Sequence, residues 1–238
     1  MRFNQYIIAA VLSMLLVLSA YVAKFYFSLG YKTSNNPEVW GQFGDYIGGI
    51  INPLFSFISI VLLIKSLTLQ NEANITVRNE LKNSERTEKL RTFEILFFNM
   101  INSQKSLFET LRIDECMGVE AVLKIEDEIE KLRKAEVSNR EIKNYLEGID
   151  IHDQIFGLSR SFYIMVQIIT EKLSNSEGFS AEDRRAHFKA LVNFTDFSQL
   201  RLILICIQFM DFQSTNYLRS SIEFKTVIEE LGMSYELY

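Results

Sequence analysis

Polar and small residues recur along one face of an otherwise apolar stretch of the chain. Asp45, Gly49, Asn52, Ser56 and Ser59 are spaced by four, three, four and three residues, so on a helix they share one side over roughly 21 Å. We call these five residues the polar stripe. Such groups can line a hydrated path through an assembly of membrane helices. They can equally bond to backbone where two helices pack closely, and the sequence leaves both interpretations open.

Glycines flank this stripe at its outer end. Gly44 and Gly48 form a small-xxx-small pair, the spacing at which two membrane helices approach closely. Together with Gly49 they predict a helix-packing face. An aromatic belt at the outer membrane surface is predicted from four residues: Trp40, Tyr46, Tyr26 and Tyr31.

No pattern typical of an enzyme or a metal centre accompanies the stripe. The chain has no GxSxG, P-loop or HExxH motif and no GxGxxG after a strand, so we expect no catalytic residues, metal or cofactor. His152 and Asp153 are adjacent and would not face each other on a helix. His187 is expected at the surface, and the acidic run 126–128 is expected to be a solvated helix face.

The first element that must position these residues is a membrane span over residues 6–27. About 22 residues are apolar apart from Lys24, and roughly 20 suffice to cross the hydrocarbon core. A cleaved signal peptide is the alternative. The long apolar run and the single basic residue before it, Arg2, disfavour that alternative.

A second span is predicted over residues 46–67, after an outer loop at 28–45. Pro53 lies inside this span, and membrane helices tolerate proline where neighbours satisfy the freed carbonyl. Lysines and arginines follow from Lys65 to Arg91. The positive-inside rule therefore places both termini in the cytoplasm and the loop outside. Residues 1–69 form a predicted transmembrane hairpin.

Residues 70–112 are predicted to continue the second span as a stalk helix, because they contain no Pro or Gly. Residues 82–89 are wholly polar and predict a solvated segment. A heptad seam then follows: Leu90, Phe93, Phe97, Met100, Gln104, Leu107 and Leu111. The seam indicates either self-association or packing on the chain's own domain, and its phenylalanines favour the second.

Residues 113–238 predict a cytoplasmic helical bundle, so the fold class is an all-α membrane protein. Possible helix starts are a capping box at Ser138–Glu141, Ser180 with Asp183, and Thr195 or Asp196. The segment 197–210 is apolar nearly all round and predicts a core helix with a buried Cys206. One last helix is expected from Ser214 or Thr215 to Leu231. Two cysteines exclude a disulfide scaffold.

The predicted bundle is acidic. Residues 113–238 carry 14 basic and 22 acidic side chains, a net charge of −8. Because affinity for nucleic acids comes largely from neutralised phosphates, direct contact with DNA or RNA is disfavoured. The charge suits a basic protein partner or repulsion from an anionic membrane surface.

One block of the sequence resembles a known family. Residues 40–49, WGQFGDYIGG, followed by Asn52-Pro53 and Ser56, resemble the signature of the phage abortive-infection (AbiC-like) membrane proteins. Weaker similarity continues at 67–70, 92–98, 162–165 and 197–200. The family implies two transmembrane helices, a cytoplasmic helical domain and a role in bacterial antiviral defence.

The resemblance extends to two-helix toxic effectors that accompany retron reverse transcriptases. It implies an inhibitory complex with a reverse transcriptase and its RNA–DNA product. The expected function is an effector that, once released, assembles as a homo-oligomer in the lipid bilayer and damages the inner membrane. The alternative is a membrane-anchored scaffold or sensor that recruits a defence partner without permeabilising the membrane.

Overall fold

The computed structural model describes residues 3–30 and 32–238, and the chain is 81% helical. The predicted roles of Arg2 and Tyr31 lie outside the described residues. The chain divides into two compact units, Met1–Leu81 and Lys82–Tyr238. The predominantly helical class is confirmed, with one small sheet that the sequence analysis did not anticipate.

The first unit contains helix α1 (Phe3–Val22), a π-helical turn (Ala23–Ser28) and the first part of helix α2 (Pro37–Glu109). Helix α2 begins nine residues earlier than expected, so much of the predicted loop 28–45 is helical. The Asn36 side chain accepts a hydrogen bond from the Glu38 N–H, and proline suits the first helical position. The segments Ile7–Ser28 and Pro37–Glu109 are long and apolar enough to cross a membrane.

Helix α2 is continuous over 73 residues, with Pro53 inside it. Most of the residues expected in the stalk, 70–112, lie in this helix, which ends at Glu109. Residues 82–89 are exposed throughout, as their composition predicts. Within the second unit they still make two ion pairs, Arg86–Asp183 at 2.9 Å and Lys89–Glu177 at 2.8 Å.

The second unit continues from the end of α2 with a short β-hairpin and seven helices. Its elements are β1 (Arg112–Ile113), β2 (Cys116–Met117), α3 (Val119–Lys134), α4 (Asn139–Ile149), α5 (Gln154–Lys172), α6 (Ala181–Phe194), α7 (Phe197–Phe209), α8 (Gln213–Ser220) and α9 (Ile222–Glu230). The antiparallel strands pair Arg112 with Met117. The helix expected over 214–231 is wrong as a single element, because Ser221 adopts an extended conformation between α8 and α9.

Side-chain caps set several helix starts where the sequence predicts them. Capping boxes at Ser138 with Glu141 and at Ser180 with Asp183 open α4 and α6. Asp196 accepts from the N–H groups of Ser198 and Gln199 and opens α7. These contacts satisfy backbone donors that a helix leaves free at its first turn.

Helix α7 is the core helix of the second unit, as predicted. Its Leu200, Ile203 and Leu204 belong to one apolar cluster with residues of α2, α5, α6, α8 and α9. Its Leu202 and Ile205 belong to another with residues of α3, α4 and α5. Burying each such side chain contributes about 1.5–3 kcal/mol.

The heptad seam of α2 packs on its own unit. Phe93, Phe97 and Gln104 are buried there, while Leu107 is exposed and Phe108 is buried in its place. These buried residues are unavailable to a second chain, which favours the intrachain interpretation of the seam.

An ion pair joins α6 to α9. The Arg184 guanidinium donates through Nε and Nη2 to the two carboxylate oxygens of Glu223, both at 2.7 Å. Its Nη1 donates to the Leu173 carbonyl and to Asn175. Hydrogen bonds from Arg184 hold the pKa of Glu223 below its usual value.

We expect Glu223→Gln to lower the free energy of unfolding by about 1–2 kcal/mol at pH 7, since charge-assisted hydrogen bonds are lost from a partly exposed pair. Because the pKa of Glu223 is lower in the folded than in the unfolded chain, this contribution should begin to decline as pH falls below the unfolded value of about 4.3, and it should vanish once pH is below the folded pKa. Denaturant titration followed by circular dichroism at both pH values measures the difference.

The matched control is Glu229→Gln on the same helix. Glu229 lies 3.8 Å from Lys225 and is well exposed, so its loss should cost less than about 0.5 kcal/mol. Equal effects of the two substitutions would contradict the role given to Arg184–Glu223.

Candidate membrane-spanning site

The two apolar helices of the first unit pack through a limited set of side chains. Val17 of α1 and Ile51 of α2 are buried. The Tyr21 ring centroid lies 4.4 Å from that of Phe25, 4.8 Å from Phe43 and 5.2 Å from Tyr46. Aromatic packing therefore joins the end of α1 to the start of α2.

The polar stripe lies on a different side of α2. All five of its residues are exposed, whereas Ile51 is buried and Leu54 half-buried. At about 100° per residue, the stripe is centred roughly 120° or more around the helix from Ile51 and Leu54. The stripe therefore takes no part in packing α2 against α1, and packing between copies or lining of a water path stay as predictions.

The three glycines leave open surface. A Cβ placed on Gly44 or Gly49 would meet no atom within 4 Å, and one on Gly48 would meet only Asn52 Nδ2 at 3.7 Å. Within the chain, then, no neighbouring backbone requires glycine at these positions.

Polar groups on the stripe are incompletely satisfied. The Ser56 hydroxyl donates to the Asn52 carbonyl at 2.9 Å. The Asn52 amide has no hydrogen-bond partner among the described residues. Pro53 has no N–H to donate to the Gly49 carbonyl, so the regular helical hydrogen bond to this carbonyl is missing beside Asn52. A lipid environment offers these groups no partner.

The predicted interfacial residues lie at the start of α2. The Trp40 indole N–H donates to the Ser34 carbonyl at 2.9 Å, and its ring is edge-on to Phe43 at 6.0 Å. Tyr46 is exposed and contacts Tyr21. An aromatic-lined cavity of about 550 Å³ opens between Trp40 and the end of the first span.

Other candidate groups of the sequence are placed differently. His187 was expected at the surface, which is wrong: its ring packs edge-on against Phe93 and Phe97, and its side chain is 16% exposed. Its Nδ1 donates to the Asp183 carbonyl at 2.8 Å. His152 and Asp153 are exposed in the break before α5.

The acidic run 126–128 is only partly solvated, which corrects the expectation. Glu126 is buried, and one of its carboxylate oxygens lies 3.0 Å from Arg201 Nε. Burial raises the pKa of Glu126, and the positive charge of Arg201, which lowers this pKa, offsets only part of the effect. Arg201 is the single charge in the apolar segment 197–210, and that was the signal for a buried partner.

Cys206 is buried, as predicted, and burial raises the pKa of its thiol to about 12. The thiol is therefore neutral and unreactive at physiological pH. Within residues 3–30 and 32–238, no group of three or more His, Cys, Asp or Glu side chains could hold a metal ion.

Comparison with protein-family models, curated proteins and solved structures yields no match. The resemblance of residues 40–56 to abortive-infection proteins therefore stays a prediction.

We expect Tyr21→Leu to destabilise the packing of α1 on α2 by about 1–3 kcal/mol, because Tyr21 contacts both Phe43 and Tyr46. Trp40 is the single tryptophan of the chain, so its fluorescence during sodium dodecyl sulfate titration of the purified protein reports the transition. Tyr26→Leu is the control, since the Tyr26 ring packs edge-on against its chain neighbour Phe27. An unchanged transition in Tyr21→Leu would refute the packing role.

Proposed function

We propose that the chain is a bacterial anti-phage effector of the abortive-infection type, anchored in the inner membrane by its first unit. On release or assembly, copies of the hairpin associate through α2 and make the membrane permeable. The exposure of the polar stripe on a helix apolar enough to span a membrane supports this proposal.

The energetic argument starts from the unsatisfied groups. The Asn52 amide and the Gly49 carbonyl would face hydrocarbon in a lone hairpin, where an unpaired polar group costs several kcal/mol. A second α2 or a column of water would satisfy them. Interhelical hydrogen bonds in membranes contribute about 0.6–2 kcal/mol each, which is enough to bias the hairpin toward assembly.

The glycines would let the helices of such an assembly approach. Gly44 and Gly49 have open space where a Cβ would be. With α1 occupying another side of α2, the stripe and its glycines are free to meet the same face of another copy. Self-complementary faces of this kind generate closed homo-oligomers.

The direction of insertion follows from the basic residues. Lys65 lies at the end of the second span, and Arg78, Lys82 and Arg86 follow it within about 20 residues, which favours a cytoplasmic second unit. The loop between α1 and α2 would then lie outside, with Trp40 and Tyr46 at headgroup level.

The second unit would hold the effector in check. Its acidic surface disfavours direct contact with nucleic acid and suits a basic protein partner. The resemblance supplies one candidate, a reverse transcriptase with its RNA–DNA product. The buried seam of α2 removes one route to self-association through the second unit.

A second candidate function is a membrane-anchored scaffold that recruits a defence partner. An exposed aromatic patch on the second unit favours it. Phe98 and Phe194 lie edge-on at 5.7 Å, and Phe194 and Phe197 are about three-fifths exposed. Exposed apolar clusters often mark sites of protein contact.

We expect simultaneous replacement of Asn52, Ser56 and Ser59 by leucine to abolish depolarisation of cells expressing the activated protein, because the stripe would lose its polar groups. The measurement is single-cell membrane-potential imaging, with immunoblotting of the membrane fraction for abundance. The scaffold function predicts no depolarisation by the wild type.

Ser19→Leu is a matched control in the other span. Its hydroxyl is exposed and donates to the Leu16 carbonyl of its own helix, so depolarisation should persist. If the triple variant depolarises cells as the wild type does, the stripe does not line the path.

We expect Gly44→Leu and Gly48→Leu to reduce cross-linked oligomers in membranes, because the added side chains would separate two α2 helices. Phe57→Leu should leave the oligomers intact, since Phe57 is exposed and lies off the stripe. Chemical cross-linking of membranes followed by gel electrophoresis separates these outcomes, and unchanged oligomers in both glycine variants would argue against the packing face.

A further inference from the structure

The second unit contains a cavity of about 410 Å³ beside the end of α7. It is bounded by the end of α3, by α8 and α9, and by the segment that follows α9. Arg133, Arg219 and Lys225 line it, and Glu236 and Tyr238 are among the other lining residues. Three cations around one cavity stand out in a region whose net charge is −8.

Arg133 has unused hydrogen-bonding capacity. Its Nη2 donates to Asn139 Oδ1 at 2.6 Å and to the Tyr238 backbone oxygen at 3.3 Å. Its Nε is buried without a hydrogen-bond partner among the described residues. The guanidinium carbon lies 5.2 Å from the centroid of the Phe209 ring, which holds the group in place.

Neither Arg133 nor Arg219 forms an ion pair with an Asp or Glu side chain in the described part of the chain. Arg219 donates instead to the carbonyls of Ile207 and Met210 and to Asn216. It therefore fixes the end of α7 and keeps its positive charge beside the cavity. Buried donors without acceptors are uncommon in folded proteins.

The segment after α9 closes one side of the cavity. Gln208 accepts from the Leu237 N–H at 2.9 Å and donates to the Tyr238 backbone oxygen. The Tyr235 hydroxyl donates to the Leu218 carbonyl at 3.1 Å. The Tyr238 backbone oxygen also accepts a hydrogen bond from Arg133 Nη2, so this segment contacts the basic wall of the cavity.

We propose that this cavity binds a small, soluble, phosphate-bearing ligand. Guanidinium groups match phosphate oxygens in a planar fork, and the ammonium of Lys225 supplies a further charge. The volume lies within the range of small-molecule sites. The site belongs to the second unit alone, so it does not rest on the function proposed for the hairpin.

The test is equilibrium dialysis of the full-length chain, in nanodiscs of phosphatidylcholine, against radiolabelled inorganic pyrophosphate at constant ionic strength. One saturable site per chain is expected. Arg133→Gln should weaken pyrophosphate binding roughly tenfold or more, because charge-assisted hydrogen bonds are lost. Lys225→Gln should weaken it by a smaller factor, since Lys225 is half exposed and shares its charge with Glu229.

The matched control is Lys134→Gln, which removes the same charge one residue from Arg133. Lys134 is exposed and lies 3.6 Å from Glu130, outside the cavity, so binding should match that of the wild type. Equal weakening by Lys134→Gln would show a general charge effect and overturn the proposal, as would the absence of saturable binding.

Two further measurements keep the outcome decisive. Circular dichroism melting checks that Arg133→Gln folds, and if it does not, Lys225→Gln carries the test. A second nanodisc preparation containing phosphatidylglycerol distinguishes a soluble ligand from a lipid headgroup. Pyrophosphate affinity should be unchanged there, whereas loss of binding in the anionic nanodiscs would assign the cavity to a headgroup and contradict a soluble ligand.

Discussion

The burial of α7 is the constraint on which the second unit depends. Its side chains belong to both apolar clusters of the unit, so the helices on either side pack against this one apolar helix. Each polar group left without a partner destabilises an element that is buried on all sides, and in α7 the side-chain nitrogens Gln199 Nε2 and Arg201 Nε have no hydrogen bond among the described residues. Arg201 lies beside Glu126, the Asp196 side chain caps the first turn of α7, and Arg219 donates hydrogen bonds to carbonyls at the end of α7.

The same constraint explains the cavity beside α7. Gln208 is half-buried near the end of this helix, and its amide holds the segment after α9. Arg219 is positioned by the terminal carbonyls of α7, and Arg133 stacks on Phe209. Groups that complete the end of a buried helix thus also place positive charge around an open volume.

The first unit has the opposite arrangement, with large apolar side chains exposed on both helices. A helix pair buries little of its own surface, and both helices are long and apolar enough to cross a membrane. Aromatic contacts of Tyr21 and burial of Val17 and Ile51 leave a separate face for the stripe. In the proposed membrane hairpin, the polar groups of the stripe would meet lipid without a partner, and the proposed association would remove that cost.

Much of this architecture could be predicted from the sequence, because it depends on local patterns. Apolar length indicated the two spans, and Ser138, Ser180 and Asp196 indicated helix starts that local hydrogen bonds create. Helical spacing alone placed the stripe on one face of α2. The start of α2 was missed because the sequence there is polar in composition, whereas a capping hydrogen bond accepted by the Asn36 side chain opens the helix. The break at Ser221 was missed because no strong helix-breaking residue marks it.

What the tertiary structure decided concerns which surfaces meet. Sequence spacing could not say whether the heptad seam packs within the chain, since the same apolar pattern suits either partner; the contacts of Phe93 and Phe97 bury it in its own unit. Nor could it tell that Glu126 and His187 leave the solvent, or that Arg133, Arg219 and Lys225, distant in sequence, surround one cavity. Long-range packing decides which side chains folding brings together, and the local periodicity of a sequence contains no information about it.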